Sequence, residues 1–129
     1  MEKIPCFDAQ ISAGFPTATD DHIEKMIDLN EHLVAHPAAT FFVKVEGNSM
    51  QDANIYSGDL LIVDRALIAK NRDIVVAMLN GEFTVKRLIK KETSISLVAE
   101  NKNYSPIHIT QESDFQIWGV VSYVIHRTR

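Results

Sequence analysis

From residue 40 onward, hydrophobic and polar positions trade places at short intervals, and the spacing predicts strands. Phe41, Val43 and Val45 interleave with Phe42, Lys44 and Glu46, the period-two mark of a strand with one face toward a core. Gly47-Asn48 stops that run. Leu60-Leu61-Ile62-Val63 is a continuous apolar stretch after Gly58-Asp59, suited to a strand covered on both faces. Residues 73–79 and 82–88 are β-rich runs joined by Asn80-Gly81, two residues that tolerate positive φ, which predicts a tight hairpin. Further strands are expected at Ile95–Ala99, Ile107–Ile109 and Phe115–Ile125. The pattern predicts a mostly β fold, a compact, partly closed antiparallel β domain over residues 40–129.

The first 39 residues follow different rules. Residues 1–19 hold no sustained period, and Pro5, Gly14 and Pro16 interrupt them, so they are expected to form a flexible N-terminal arm with at most short strand-like pieces. One short helix should follow. Asp21 and Glu24 have capping-box spacing, Ile23, Met26 and Ile27 recur at i, i+3, i+4, and Leu33 and Val34 continue that face. His36-Pro37 ends it, because proline disfavours α geometry in the residue before it. The expected organisation is therefore an arm with a short helix over 1–39 and a β-rich core over 40–129.

Composition narrows the function classes. Of 129 residues, 46% are apolar, enough to bury a real core and to exclude general disorder. No stretch approaches the ~18 apolar residues of a membrane-spanning helix. The Met1-Glu2-Lys3-Ile4-Pro5-Cys6 start lacks the basic region and apolar run of a secretory signal. A single cysteine, Cys6, leaves no intramolecular disulfide framework. A cytoplasmic protein is expected. The net charge of −4 lies wholly in residues 1–30, where six acids meet two bases, while the remainder is balanced. Such a body presents no strongly basic face, so direct sequence-specific DNA binding is not expected.

Three features could carry chemistry. Ser49 lies in Glu46-Gly47-Asn48-Ser49-Met50, at a strand end where a hydroxyl can project and backbone N–H groups can converge. Lys86 lies within the second strand of the Asn-Gly hairpin, sharing a face with Thr84 and Leu88. Ala13-Gly14 is a pair of small residues in the arm. A lone strand lysine is ordinarily solvated, and a lone turn serine ordinarily serves the turn. If Lys86 points inward, however, desolvation lowers its pKa and makes the amine a usable base near neutrality. Beside Ser49 it would form a Ser–Lys dyad without histidine. The five histidines show no metal-ligand spacing beyond His32-x-x-x-His36, which runs into Pro37, so no metal site is expected.

Taken together, three segments resemble the LexA/UmuD group of self-cleaving serine peptidases. They are Val43-Lys44-Val45-Glu46-Gly47-Asn48-Ser49-Met50, Ser57-Gly58-Asp59-Leu60-Leu61-Ile62-Val63-Asp64 and Gly81-Glu82-Phe83-Thr84-Val85-Lys86-Arg87-Leu88. Their order and the 37-position separation of Ser49 and Lys86 are similar to the family's. Ala13-Gly14-Phe15-Pro16 and Ile27-Asp28-Leu29-Asn30 extend the resemblance into the arm, toward the short UmuD-like type. The resemblance implies Ser49 as nucleophile, Lys86 as general base, and cleavage between Ala13 and Gly14. It implies an oxyanion hole from the backbone N–H groups of Ser49 and Met50, and no cofactor. It further implies a bacterial homodimer whose cleavage is stimulated by a RecA–single-stranded DNA filament in the SOS response. The shortened product would then serve a Y-family, UmuC-like polymerase subunit in translesion synthesis.

Two other readings compete. A non-catalytic dimeric binding module would keep Ser49 and Lys86 as vestiges. A truncated LexA-type repressor would need a basic helix-turn-helix, which the first 39 residues lack.

Overall fold

A computed structural model of the chain describes residues 2–7 and 23–129. These fall into two compact units, one made of the described residues up to Ala35 and the other of His36–Arg129. In the first, strand β1 (Ile4–Phe7) pairs antiparallel with β2 (Ile23–Ile27), placing Ile4 opposite Ile27 and Pro5 opposite Met26. Helix α1 (Leu29–Leu33) follows directly. Of the helix expected from residue 21, Ile23–Ile27 is a strand and Leu29–Leu33 is helical. Ile23, Met26 and Ile27 do fit a helical face, but the hydrogen-bonding partner supplied by β1 outweighs a local apolar spacing only five residues long. The cap shifts accordingly. Asp28 accepts the backbone N–H of Asn30 at 2.9 Å, and Pro37 limits what can follow.

The second unit is built on a seven-stranded sheet with every neighbouring pair antiparallel. Its strands are β3 (Thr40–Lys44), β4 (Leu60–Asp64), β5 (Ile74–Leu79), β6 (Glu82–Lys90), β7 (Ile95–Val98), β8 (Ile107–Ile109) and β9 (Phe115–Ile125), ordered β3-β4-β9-β5-β6-β7-β8. The mostly β, antiparallel fold class expected from the pattern is the one observed. The β5–β6 turn has Asn80 at φ 50° and Gly81 at φ 85°, as an Asn-Gly hairpin requires. The apolar run in β4 is buried on both faces. One cluster gathers Val45, Met50, Ile55, Leu61, Val63 and Val76, and a second gathers Val75, Ala77, Leu88, Leu97 and Val120.

Strand β9 joins the two sides of the sheet. Its first half pairs with β5, from Phe115 opposite Leu79 to Val120 opposite Val75. Its second half pairs with β4, from Val120 opposite Asp64 to Ile125 opposite Leu60. Gly119 sits where the partners change. A Cβ there would lie 2.6 Å from Val63 Cγ1, so the close approach of the two strands requires glycine. Among the described residues, no helix is long and apolar enough to cross a membrane.

Candidate active site

The Ser49 loop is shaped by a short backbone ladder. Beyond β3, Val45 N–H donates to the Asp59 carbonyl at 2.9 Å and Gly58 N–H donates to the Val45 carbonyl at 2.8 Å. Gly47 then turns the chain at φ 89°, a left-handed value that disfavours any side chain, and its N–H donates to Ser57 Oγ at 3.3 Å. Met50, only 2% exposed, plugs the loop into the first apolar cluster. Ser49, between the turn and the plug, is half-buried.

Asp59 braces the return leg of this ladder. Its carboxylate is buried, accepting the Tyr56 N–H at 2.9 Å and hydrogen-bonding His126 Nδ1 at 2.7 Å. Burial alone would raise its pKa, but those hydrogen bonds and the nearby imidazole outweigh burial and hold it below the ordinary aspartate range. Asp64, at the far end of β4, repeats the arrangement. It is buried against His36 Nδ1 at 2.6 Å and accepts the Ala66 N–H at 2.8 Å, and the same balance lowers its pKa.

Lys86 comes from the middle of β6, opposite Val75 of β5. Both faces of β6 are covered, since Val85 packs against the first cluster and Leu88 lies within the second. The amine is therefore drawn off water. Desolvation by burial lowers its pKa from the usual lysine value. Its Nζ lies 3.0 Å from Ser49 Oγ, 2.8 Å from Thr84 Oγ1 and 3.1 Å from the Val85 carbonyl oxygen. Three acceptors satisfy the three protons of an ammonium. A neutral amine, with two protons, can donate to Thr84 and Val85 while its lone pair takes the Ser49 hydroxyl proton. Both groups border a cleft of about 310 Å³ whose walls include Val43, Val45, Met50 and Phe83.

Comparison with known proteins gives the family of the chain. Residues 5–122 match the family described as Peptidase S24-like. The chain belongs to that family. It is 41% identical over 126 residues to Protein ImpA of Salmonella typhimurium, covering 97% of this chain and 85% of that protein. It is 40% identical over 124 residues to Protein MucA of Escherichia coli, covering 95% and 84%. Protein SamA of Salmonella typhimurium (strain LT2) is 43% identical over 125 residues, covering 97% and 86%. The LexA/UmuD resemblance drawn from three motifs thus extends over nearly the whole chain.

Within this S24-like chain, the structure brings Ser49 and Lys86 together from different elements. Ala13 and Gly14 lie outside the described residues. Sequence reasoning gave no role to two side chains that shape the site. Thr84 was visible as the residue two before Lys86 on the same strand face, a spacing that puts its hydroxyl beside the amine. Asn101, which donates to the Asn48 carbonyl at 2.9 Å, carried no sequence signal, because it reaches the Ser49 loop across 53 residues of chain. Among the described residues, no group of three or more His, Cys, Asp or Glu side chains could hold a metal.

Proposed function

We propose that this protein is a self-cleaving serine peptidase of the bacterial SOS response, in which Ser49 attacks the Ala13–Gly14 peptide bond and Lys86 is the general base. The observation that carries the reading is the 3.0 Å contact between a desolvated Lys86 amine and Ser49 Oγ at the edge of a cleft, in a chain of the Peptidase S24-like family. Neutral Lys86 takes the hydroxyl proton as Oγ adds to the Ala13 carbonyl carbon. Backbone N–H groups of Ser49 and Met50 receive the oxyanion. The resulting ammonium returns the proton to the Gly14 nitrogen, which leaves as the new amino terminus. Water, deprotonated by the same amine, then hydrolyses the Ala13 ester and restores Ser49. Small residues at the bond suit a narrow cleft, and glycine accepts a distorted backbone. A substrate carried on the same chain has a high effective concentration, so a modestly activated serine suffices for one turnover.

The wider reading follows the LexA/UmuD resemblance. The protein acts in the bacterial cytoplasm as a homodimer, a RecA–single-stranded DNA filament stimulates cleavage, and the shortened form serves a Y-family, UmuC-like polymerase subunit.

Intact-mass measurement after incubation at alkaline pH tests the chemistry, because raising pH deprotonates Lys86. A 13-residue peptide ending at Ala13 is expected, with faster release when an activated RecA filament is added. Ser49→Ala, which removes the attacking atom, should abolish release, and Lys86→Ala should slow it by about 10²–10⁴-fold. Unchanged mass under both conditions would reject the peptidase reading in favour of a non-catalytic module.

A further inference from the structure

We propose that Asn101 is a positioning residue of this site, holding the peptide between Asn48 and Ser49 so that the Ser49 N–H is aimed at the developing oxyanion. The proposal deepens the reading of Ser49 as nucleophile and rests on it. Asn101 is only 5% exposed, and both ends of its amide are used. Its Nδ2 donates to the Asn48 carbonyl at 2.9 Å, and its Oδ1 accepts the Asn103 N–H at 3.0 Å. The Asn48 carbonyl also accepts the Gln51 N–H at 3.3 Å, so two donors fix its direction.

That carbonyl shares a planar peptide with the Ser49 N–H. In a trans peptide the two groups point in opposite directions, and no peptide among the described residues is cis. Pinning the oxygen on one side therefore turns the Ser49 N–H to the other. Among the described residues, neither the Ser49 nor the Met50 N–H donates to a backbone carbonyl.

The segment that carries Asn101 is itself tied to both halves of the dyad. Glu100 accepts the Asp52 N–H on its carbonyl at 2.7 Å, just beyond the Ser49 loop. Its carboxylate pairs with Arg87 Nε at 2.7 Å, one residue from Lys86. Tyr104 OH donates to Asn48 Oδ1 at 3.0 Å. Asn101 thus takes its bearing from the strand of the base and delivers it to the peptide of the nucleophile.

The test compares Asn101→Asp and Asn101→Ala with the native chain, following self-cleavage from neutral to alkaline pH. Aspartate keeps the acceptor for the Asn103 N–H, and with it the local turn, but once ionised it cannot donate to the Asn48 carbonyl. Both variants should lower the alkaline plateau by about 10- to 100-fold, less than outright removal of an oxyanion donor. In Asn101→Ala, which adds no charge, the pH midpoint set by Lys86 should stay in place. If the Ala variant does not fold, the nearly isosteric Asp variant carries the test alone. A native plateau in Asn101→Asp, or a shifted midpoint with an unchanged plateau, overturns the positioning role. A native chain that never cleaves overturns the Ser49–Lys86 reading as well, so the two failures are told apart by the native control.

Discussion

A lysine amine is an unusual base because water ordinarily keeps it charged, and here three contacts decide its state. Burial disfavours the ammonium of Lys86, while the Thr84 hydroxyl and the Val85 carbonyl hold the amine on a fixed line to Ser49. Thr84→Val keeps the branched shape and removes one of those acceptors. Losing it destabilises the ammonium further, so the pH midpoint of cleavage should move down, while looser aim lowers the plateau by about tenfold. A rate–pH profile separates the two effects. At this scale the sequence was informative where chemistry is local. Ser49, Lys86 and the face shared by Thr84 and Lys86 could all be read from motif and period. Asn101 could not, because its partner is a backbone carbonyl brought near by folding, and such a partner leaves no trace in side-chain pattern.

Elements were legible where periodicity and turn chemistry agreed. The β5–β6 hairpin follows from two β-rich runs around Asn80-Gly81, and β4 from an unbroken apolar run. The segment from Ile23 to Ile27 shows the opposite case. Its apolar spacing suits a helix, yet it becomes β2 because β1 offers hydrogen-bonding partners that the helical reading did not consider. The register of β9 was equally hidden. An eleven-residue strand could be anticipated, but not that it changes neighbours midway. Gly119→Ala tests that crossing. A methyl group meeting the buried, β-branched Val63 cannot be relieved by a simple rotamer change, so a loss of about 1–3 kcal/mol is expected. Urea unfolding should show a lower midpoint with the slope unchanged.

For the molecule as a whole, pH acts on stability through two opposite ends of the scale. Asp59 and Asp64 have lowered pKa values in the folded state, so the stability they contribute is complete above the unfolded carboxyl value of about 3.9. It is lost as pH falls through their folded values. Lys86 works in the alkaline window. Between its lowered folded value and about 10.4 the unfolded chain binds more protons, so stability rises with pH there. Urea midpoints across pH should show both slopes. Asp59→Asn should flatten the acid limb, and Lys86→Met the alkaline one; unchanged limbs would remove these groups from the account.

The alcohol and the amine enter the cleft from opposite sides of a shared strand. The Ser49 loop hangs from β3 and β4, Lys86 stands on β6 beside β5, and within the sheet only β9 lies between these pairs. Reactivity is consequently hostage to a seam that supplies no reacting atom. A slip of β9 by a single residue would reset the spacing of nucleophile and base without altering either one, so the chemistry is calibrated from behind.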